Sequence, residues 1–154
     1  MTIELELQIA TTAKTLPHPS QFREWISVTL ASRLDTGELT IRIVDEDESA
    51  ELNQRFRNKS GPTNVLSFPY EPQPGIVSNY IGDIVICAPV VQAESDTFNK
   101  PLLACWAHMV VHGTLHLLGY DHELESDAEE MELLETDIML QLGFAGPYEE
   151  RGTI

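Results

Sequence analysis

The sequence predicts one α+β domain, covering residues 1–154, in which a mixed four-stranded sheet packs against about five helices. Two kinds of pattern carry this prediction: apolar residues that alternate with polar ones, as in half-buried strands, and apolar residues at helical spacing. The length of 154 residues and the hydrophobic content of 42% suffice for one core but not for two separate ones. No internal repeat or domain boundary interrupts the pattern.

Strands and helices alternate in the first half of the chain. Two strands are predicted where apolar residues alternate with polar ones, at Ile3, Leu5, Leu7 and Ile9 and again at Leu39, Ile41 and Ile43. The helix predicted between them begins after Pro19 and buries residues at helical spacing, namely Phe22, Trp25, Ile26, Thr29 and Leu30. After the second strand, Asp47 is expected to cap a short helix that Gly61 and Pro62 terminate.

The second half of the chain predicts two further strands and then three helices. The strands are the β-rich runs at residues 63–68 and 80–87. A helix should follow Pro89, and Pro101 is expected in the first turn of a long apolar helix that carries three of the five histidines. Ser126 and Glu129 have the spacing of a capping box, which predicts a last helix that stops at Gly143.

The most informative motif is the pattern H-x-x-x-H-x-x-G-x-x-H at residues 112–122. His112 and His116 are four residues apart, so a helix places both imidazoles on one face. Gly119 can adopt the left-handed conformation that ends a helix, and the chain reversal can return His122 as a third ligand. Three histidines with a vacant fourth position describe a catalytic zinc site, although imidazole also suits other divalent transition metals. We expect one ion per chain.

Residues near this motif leave alternatives open. The spacing is that of metzincin proteases, but Gly113 stands where those enzymes carry the glutamate that acts as general base. His108 could form a rival ligand set with His112 and His116, but each four-residue step turns the helix face by about 40°, so three such rings converge poorly on one ion. His108 is therefore expected to be buried or to support a ligand. Asp121 orients a histidine, binds the ion or forms a turn.

The charge distribution restricts the class of substrate. A formal net charge of −16, from 25 acidic and 9 basic residues, argues against nonspecific binding to nucleic acid. Residues 53–70, however, contain no acid and carry Arg57 and Lys59. Arg57 is the candidate phosphate clamp, because a guanidinium can hold two phosphoryl oxygens at once; a solvated arginine at a helix end is the alternative. Lys59, Asn64 and Ser67 are weaker candidates for substrate binding.

The sequence also predicts a compartment. No stretch approaches the about 18 to 20 apolar residues of a membrane span, and the acidic N-terminal segment lacks the features of a signal peptide. We therefore expect a cytoplasmic protein with no membrane partner. In such a reducing compartment Cys87 and Cys105 are expected to be buried free thiols.

Taken together, these residues closely resemble the bacterial YbeY family of single-strand endoribonucleases and ribosomal RNA maturation factors. The resemblance covers most of the chain. Besides Arg57 it rests on four blocks, which are residues 62–69, 82–87, 107–122 and 129–131.

The resemblance implies a zincin-like fold with the metal-ligand helix at its centre and a metal held by His112, His116 and His122. It implies cleavage of single-stranded ribosomal RNA, with Arg57 as an essential cation that stabilises the scissile phosphate. It further implies work in 16S rRNA 3′-end maturation and ribosome quality control. The implied partners are small-subunit ribosomal proteins and a ribosome-associated GTPase.

Two other functions stay open on the residues alone. The metzincin spacing suggests a zincin-like metallopeptidase, against which Gly113 counts. A noncatalytic ribosome-assembly factor would use the ion structurally and contact basic ribosomal proteins through its acidic surface. Cleavage assays with RNA and with an unstructured protein separate the three functions.

Overall fold

The structure is a computed structural model that describes residues 2–31, 33–121 and 124–148. Its strands are β1 (Thr2–Ala10), β2 (Thr36–Val44), β3 (Val65–Pro69) and β4 (Tyr80–Cys87). Its helices are α1 (Pro19–Leu30), α2 (Glu46–Arg57), α3 (Ala88–Phe98), α4 (Leu102–Leu117) and α5 (Glu125–Gln141). The predicted α+β class is confirmed.

The four strands form one mixed sheet in the order β1-β2-β4-β3. Strand β1 pairs in parallel with β2, and β2 pairs in parallel with β4. Strand β3 is antiparallel to β4 and forms one edge of the sheet, with Ser67 opposite Ile84. An edge strand keeps one row of backbone hydrogen-bonding groups outside the sheet ladder. On β3 these backbone groups are therefore available to side chains or to a ligand.

The larger core lies between one face of the sheet and helices α1, α4 and α5. All five residues that the helical spacing predicts on α1 are buried, and they pack with sheet residues such as Ile41 and Ile84. Helix α4 contacts α1, α3, α5, β3 and β4, so it occupies the centre of the domain. A surface helix buries one apolar stripe, whereas α4 buries residues around most of its circumference between Trp106 and Leu117. The backbone that carries the α4 histidines is therefore packed on several sides.

A smaller core on the opposite face of the sheet positions helix α2. Leu66 and Val85 are buried there, with Leu52 of α2 packed against them. The Phe56 and Phe68 rings meet edge to face with centroids 5.2 Å apart. The C-terminal end of α2 is thereby fixed beside the edge strand β3.

The two predicted helix caps are wrong. Helix α2 begins after Asp45, and Asp47 lies in its first turn; the Asp45 carboxylate accepts a hydrogen bond from the Thr12 backbone N–H at 3.0 Å instead of capping the helix. Helix α5 begins after Leu124, so Ser126 is inside the helix and forms no cap. Both helices carry several acids in the first turn, and these acids stabilise the positive end of the helix dipole without a capping side chain.

The cysteines are free thiols, as predicted, with Cys87 buried and Cys105 half-buried. Burial raises the pKa of both thiols, which keeps them protonated and unreactive at neutral pH. Within the described ranges, no helix has both the length and the apolar character needed to cross a bilayer.

Candidate metal centre and cleft

Helix α4 presents His112 and His116 side by side, both half-buried. Their Nε2 atoms are 3.0 Å apart and their ring centroids 4.5 Å apart. Two nitrogens that bind one tetrahedral zinc at its usual bond length lie about 3.3 Å from each other. The observed separation, at which the two rings can share a hydrogen bond, is close to the one that two ligands of one ion require.

The chain turns sharply where α4 ends. Gly119 has a φ of +102°, a backbone conformation that other residues adopt only with strain. This glycine is the predicted helix stop, and it brings Tyr120 and Asp121 to the same cleft as the two histidines. His122, the third predicted ligand, lies outside the described residues.

A buried carboxylate stands behind the histidine pair. Glu135 of α5 accepts a hydrogen bond from His108 Nε2, and its Oε1 lies 3.3 Å from His112 Nδ1. The Tyr148 hydroxyl donates to Glu135 Oε2 at 2.9 Å. His108, His112 and Glu135 bring ligand-type atoms within 4.8 Å of one another, so this cluster can hold a metal ion.

Glu135 is ionised although its side chain is almost fully buried. Burial raises the pKa of the carboxyl group, but hydrogen bonds from His108 and His112 outweigh burial and lower the pKa to about 2. Sequence reasoning missed this residue. The sequence does contain a sign of its burial, which is its helical spacing. Glu135 lies four residues from the buried Met131 and Met139, so it is an acid on an apolar helix face.

A cleft of about 730 Å³ lies in front of the histidine pair, between α4, strand β3 and the end of α2. It gathers most of the residues that the sequence singled out as site candidates. Those that line it are Arg57, Lys59, Asn64, Ser67, His112, His116 and Asp121. His108 instead lines a second cavity of about 470 Å³, which also includes Asn64 and Tyr148.

Arg57 is held at the mouth of this cleft. It lies in the last turn of α2, and its Nη2 donates a hydrogen bond to the Ser67 carbonyl on the free side of β3 at 2.8 Å. The guanidinium carbon is 5.5 Å from the centroid of the Phe68 ring. Within the described ranges Arg57 forms no ion pair, so its charge is not neutralised by a carboxylate.

Asn64 and Ser67 use their side chains within the protein. The Asn64 amide donates to both carboxylate oxygens of Glu94 at 3.1 Å, and its carbonyl oxygen accepts from the Val65 N–H. The Ser67 hydroxyl donates to the Gly113 carbonyl at 3.2 Å and is buried. Both residues line the cleft while fixing its walls, and their predicted contact with substrate stays a prediction. Lys59 and Asp121 are exposed.

Gly113 faces the sheet and not the cleft. A Cβ atom at this position would lie 2.9 Å from Ile84 Cγ2 and 3.2 Å from Ser67 Oγ. The glycine therefore allows α4 to approach the sheet closely. A glutamate at this position would have to displace Ile84, and the glycine that stands here supplies no general base for a metallopeptidase.

The substitution Gly113→Glu is expected to lower the free energy of unfolding by about 3 to 5 kcal/mol, because it forces an unpaired carboxylate against Ile84. Gly113→Ala, the control that adds volume without charge, is expected to cost about 1 to 3 kcal/mol. Denaturant unfolding measures both values. A stable Gly113→Glu protein that cleaves peptides would contradict this placement.

These features define a class of protein: an α+β domain in which histidines of the central helix and a buried glutamate form a cluster able to hold a metal ion, beside a cleft lined by Arg57 and Lys59. Sequence comparison then gives the family. The profile of the family described as Endoribonuclease YbeY matches residues 7–143. The chain belongs to this endoribonuclease family, and the resemblance drawn from its motifs is confirmed.

A solved structure supports the same fold. The chain is similar to the solution structure of TM1509 from Thermotoga maritima, with a TM-score of 0.57 and 25% sequence identity. The alignment covers 89% of this chain and 91% of that chain. The similarity thus includes the sheet and the helices that build the cleft.

Proposed function

We propose that the protein is a metal-dependent endoribonuclease that cuts single-stranded ribosomal RNA during 16S rRNA 3′-end maturation and ribosome quality control. The observation that carries this proposal is the position of Arg57 in the same cleft as the facing His112 and His116 side chains. Family membership supports RNA cleavage as the reaction class. We place the ion, zinc in our proposal, on His112 and His116 with His122 as the third ligand.

When bound there, a divalent ion supplies Lewis acidity toward a phosphoryl oxygen. Arg57 stabilises the negative charge that grows on the phosphate as a fifth oxygen approaches. Its hydrogen bond to Ser67 fixes one Nη2 proton and holds the guanidinium plane before substrate arrives. The remaining N–H groups are available to phosphoryl oxygens, so little reorientation is needed during the reaction.

The electrostatics of the cleft suit a polyanion despite the net charge of −16. Arg57 and Lys59 line the cleft with a single acid, Asp121, among the described lining residues. The negative surface elsewhere disfavours nonspecific RNA binding and restricts RNA to this opening. Basic ribosomal proteins of the small subunit, and a ribosome-associated GTPase, are the partners we propose for the acidic surface.

Tyr120 supports selectivity for single strands. It lines the cleft just after the turn at Gly119, and it is half-buried because it also packs against the larger core. Aromatic rings bind RNA by stacking on bases, and a base can stack on a side chain only when it is unpaired. A duplex would have to open before its bases reached this ring.

The test is cleavage of a single-stranded rRNA fragment by zinc-loaded protein, with the same fragment in a duplex as the matched substrate. We expect cuts in the single strand, loss of cutting with a chelator, and loss of cutting in His112→Ala. The product ends identify the nucleophile: a 2′,3′-cyclic phosphate indicates the RNA 2′-hydroxyl, and a linear phosphate indicates water. RNA that stays intact with and without metal would support the assembly-factor function instead.

A further inference from the structure

The buried Glu135 has no part in the proposed reaction. We propose that Glu135 is a positioning residue: it holds His112 so that the Nε2 lone pair points to the cleft and to His116, and it does not bind the ion itself. This inference rests on the proposed metal site.

Two imidazole nitrogens face the Glu135 carboxylate. Both nitrogens lie at hydrogen-bonding distance from its oxygens, and a carboxylate oxygen accepts hydrogen bonds, so each nitrogen is placed to donate an N–H group. Those nitrogens are His108 Nε2 and His112 Nδ1. A neutral imidazole with its proton on Nδ1 has its lone pair on Nε2. His112 Nε2 is the atom that lies 3.0 Å from His116 Nε2.

Glu135 lies away from the opening through which substrate would reach the histidine pair. Glu135 is 1% exposed and does not appear among the described residues that line the large cleft. An ion held by His108, His112 Nδ1 and Glu135 would lie behind the histidine pair, next to the second cavity that His108 lines and away from Arg57. An ion at the Nε2 atoms of His112 and His116 faces the cleft directly. Catalytic sites keep such an open position.

Glu135 is itself held in place by other side chains. Oε2 receives hydrogen bonds from His108 and from the Tyr148 hydroxyl, which leaves Oε1 directed at His112. The carboxylate is therefore fixed by two partners before it contacts the third. A carboxylate that orients a ligand histidine in this way contributes about 10- to 100-fold to metal affinity in other proteins.

The experiment compares Glu135→Gln with wild type. The amide keeps the shape of the carboxylate, but it has one acceptor oxygen and cannot accept from both imidazoles. We expect the affinity for Zn²⁺, measured by competition with a chromogenic chelator, to fall about 10- to 100-fold. Nitrogen NMR of labelled histidine should show His112 change from the Nδ1–H tautomer to a mixture. Glu129→Gln, an equal charge change at an exposed position of α5, should leave both measurements unchanged.

Two results would overturn the proposal. One is a Zn²⁺ affinity for Glu135→Gln equal to that of wild type. The other is NMR evidence that the ion binds His112 through Nδ1, which would make Glu135 a ligand in the cluster with His108. If Glu135→Gln does not fold, the same NMR measurement on metal-free wild type tests the proposal. His112 must then be the Nδ1–H tautomer. None of these measurements uses RNA, so a failure of the proposal for Glu135 can be distinguished from a failure of the proposed nuclease activity.

Discussion

Replacing Arg57 by alanine is expected to lower the rate of RNA cleavage about a hundredfold or more while the protein stays folded and keeps its metal. The expected loss is that of a preorganised electrostatic donor, because Arg57 meets charge that develops in the transition state. Arg57 is exposed and belongs to neither core, so its removal should change the free energy of unfolding little. Single-turnover rates at saturating RNA, at two salt concentrations, measure the effect.

Two further variants define what Arg57 does. Arg57→Lys is expected to recover little activity, since lysine keeps the charge but loses the planar pair of donors. Arg55→Ala is the matched control: Arg55 is exposed on the same helix, stacks on Phe56 and does not line the described cleft. Near-complete recovery in Arg57→Lys, or a loss in Arg57→Ala that vanishes at saturation, would mean that Arg57 only attracts RNA.

The second large effect is expected for His116→Ala, which should lose the metal and the stability that the metal provides. An ion present at about 100 to 1,000 times its dissociation constant stabilises the folded state by about 3 to 4 kcal/mol. This increment should disappear in His116→Ala, since two imidazoles rarely hold zinc tightly. Elemental analysis after dialysis and unfolding with and without Zn²⁺ measure the two losses.

His108→Ala is the variant to compare with His116→Ala. His108 contacts Glu135 and lies outside the cleft, so its removal should weaken metal binding without abolishing it. One equivalent of zinc retained by His116→Ala but lost by His108→Ala would place the ion in the cluster with Glu135 and would refute the ligand pair.

The order of the elements and much of their burial follow from local patterns in the sequence. Alternation and helical spacing depend on local geometry, so the buried face of α1 and the extent of β4 follow directly from the residue pattern. Strand β3 begins later than predicted because Thr63 exchanges backbone hydrogen bonds with the Ser49 side chain and not with β4. A contact between residues so far apart in the chain leaves no local pattern.

In the candidate site, too, some features follow from local spacing and others from contacts between distant residues. The four-residue spacing of His112 and His116 determined that their rings lie together, because a helix enforces it. Tertiary structure accounts for three other features of the site. These are the contact of Arg57 with Ser67, the approach of Gly113 to Ile84 and the burial of Glu135 behind His112. Each joins different elements of the fold, and their relative placement depends on how the whole core packs.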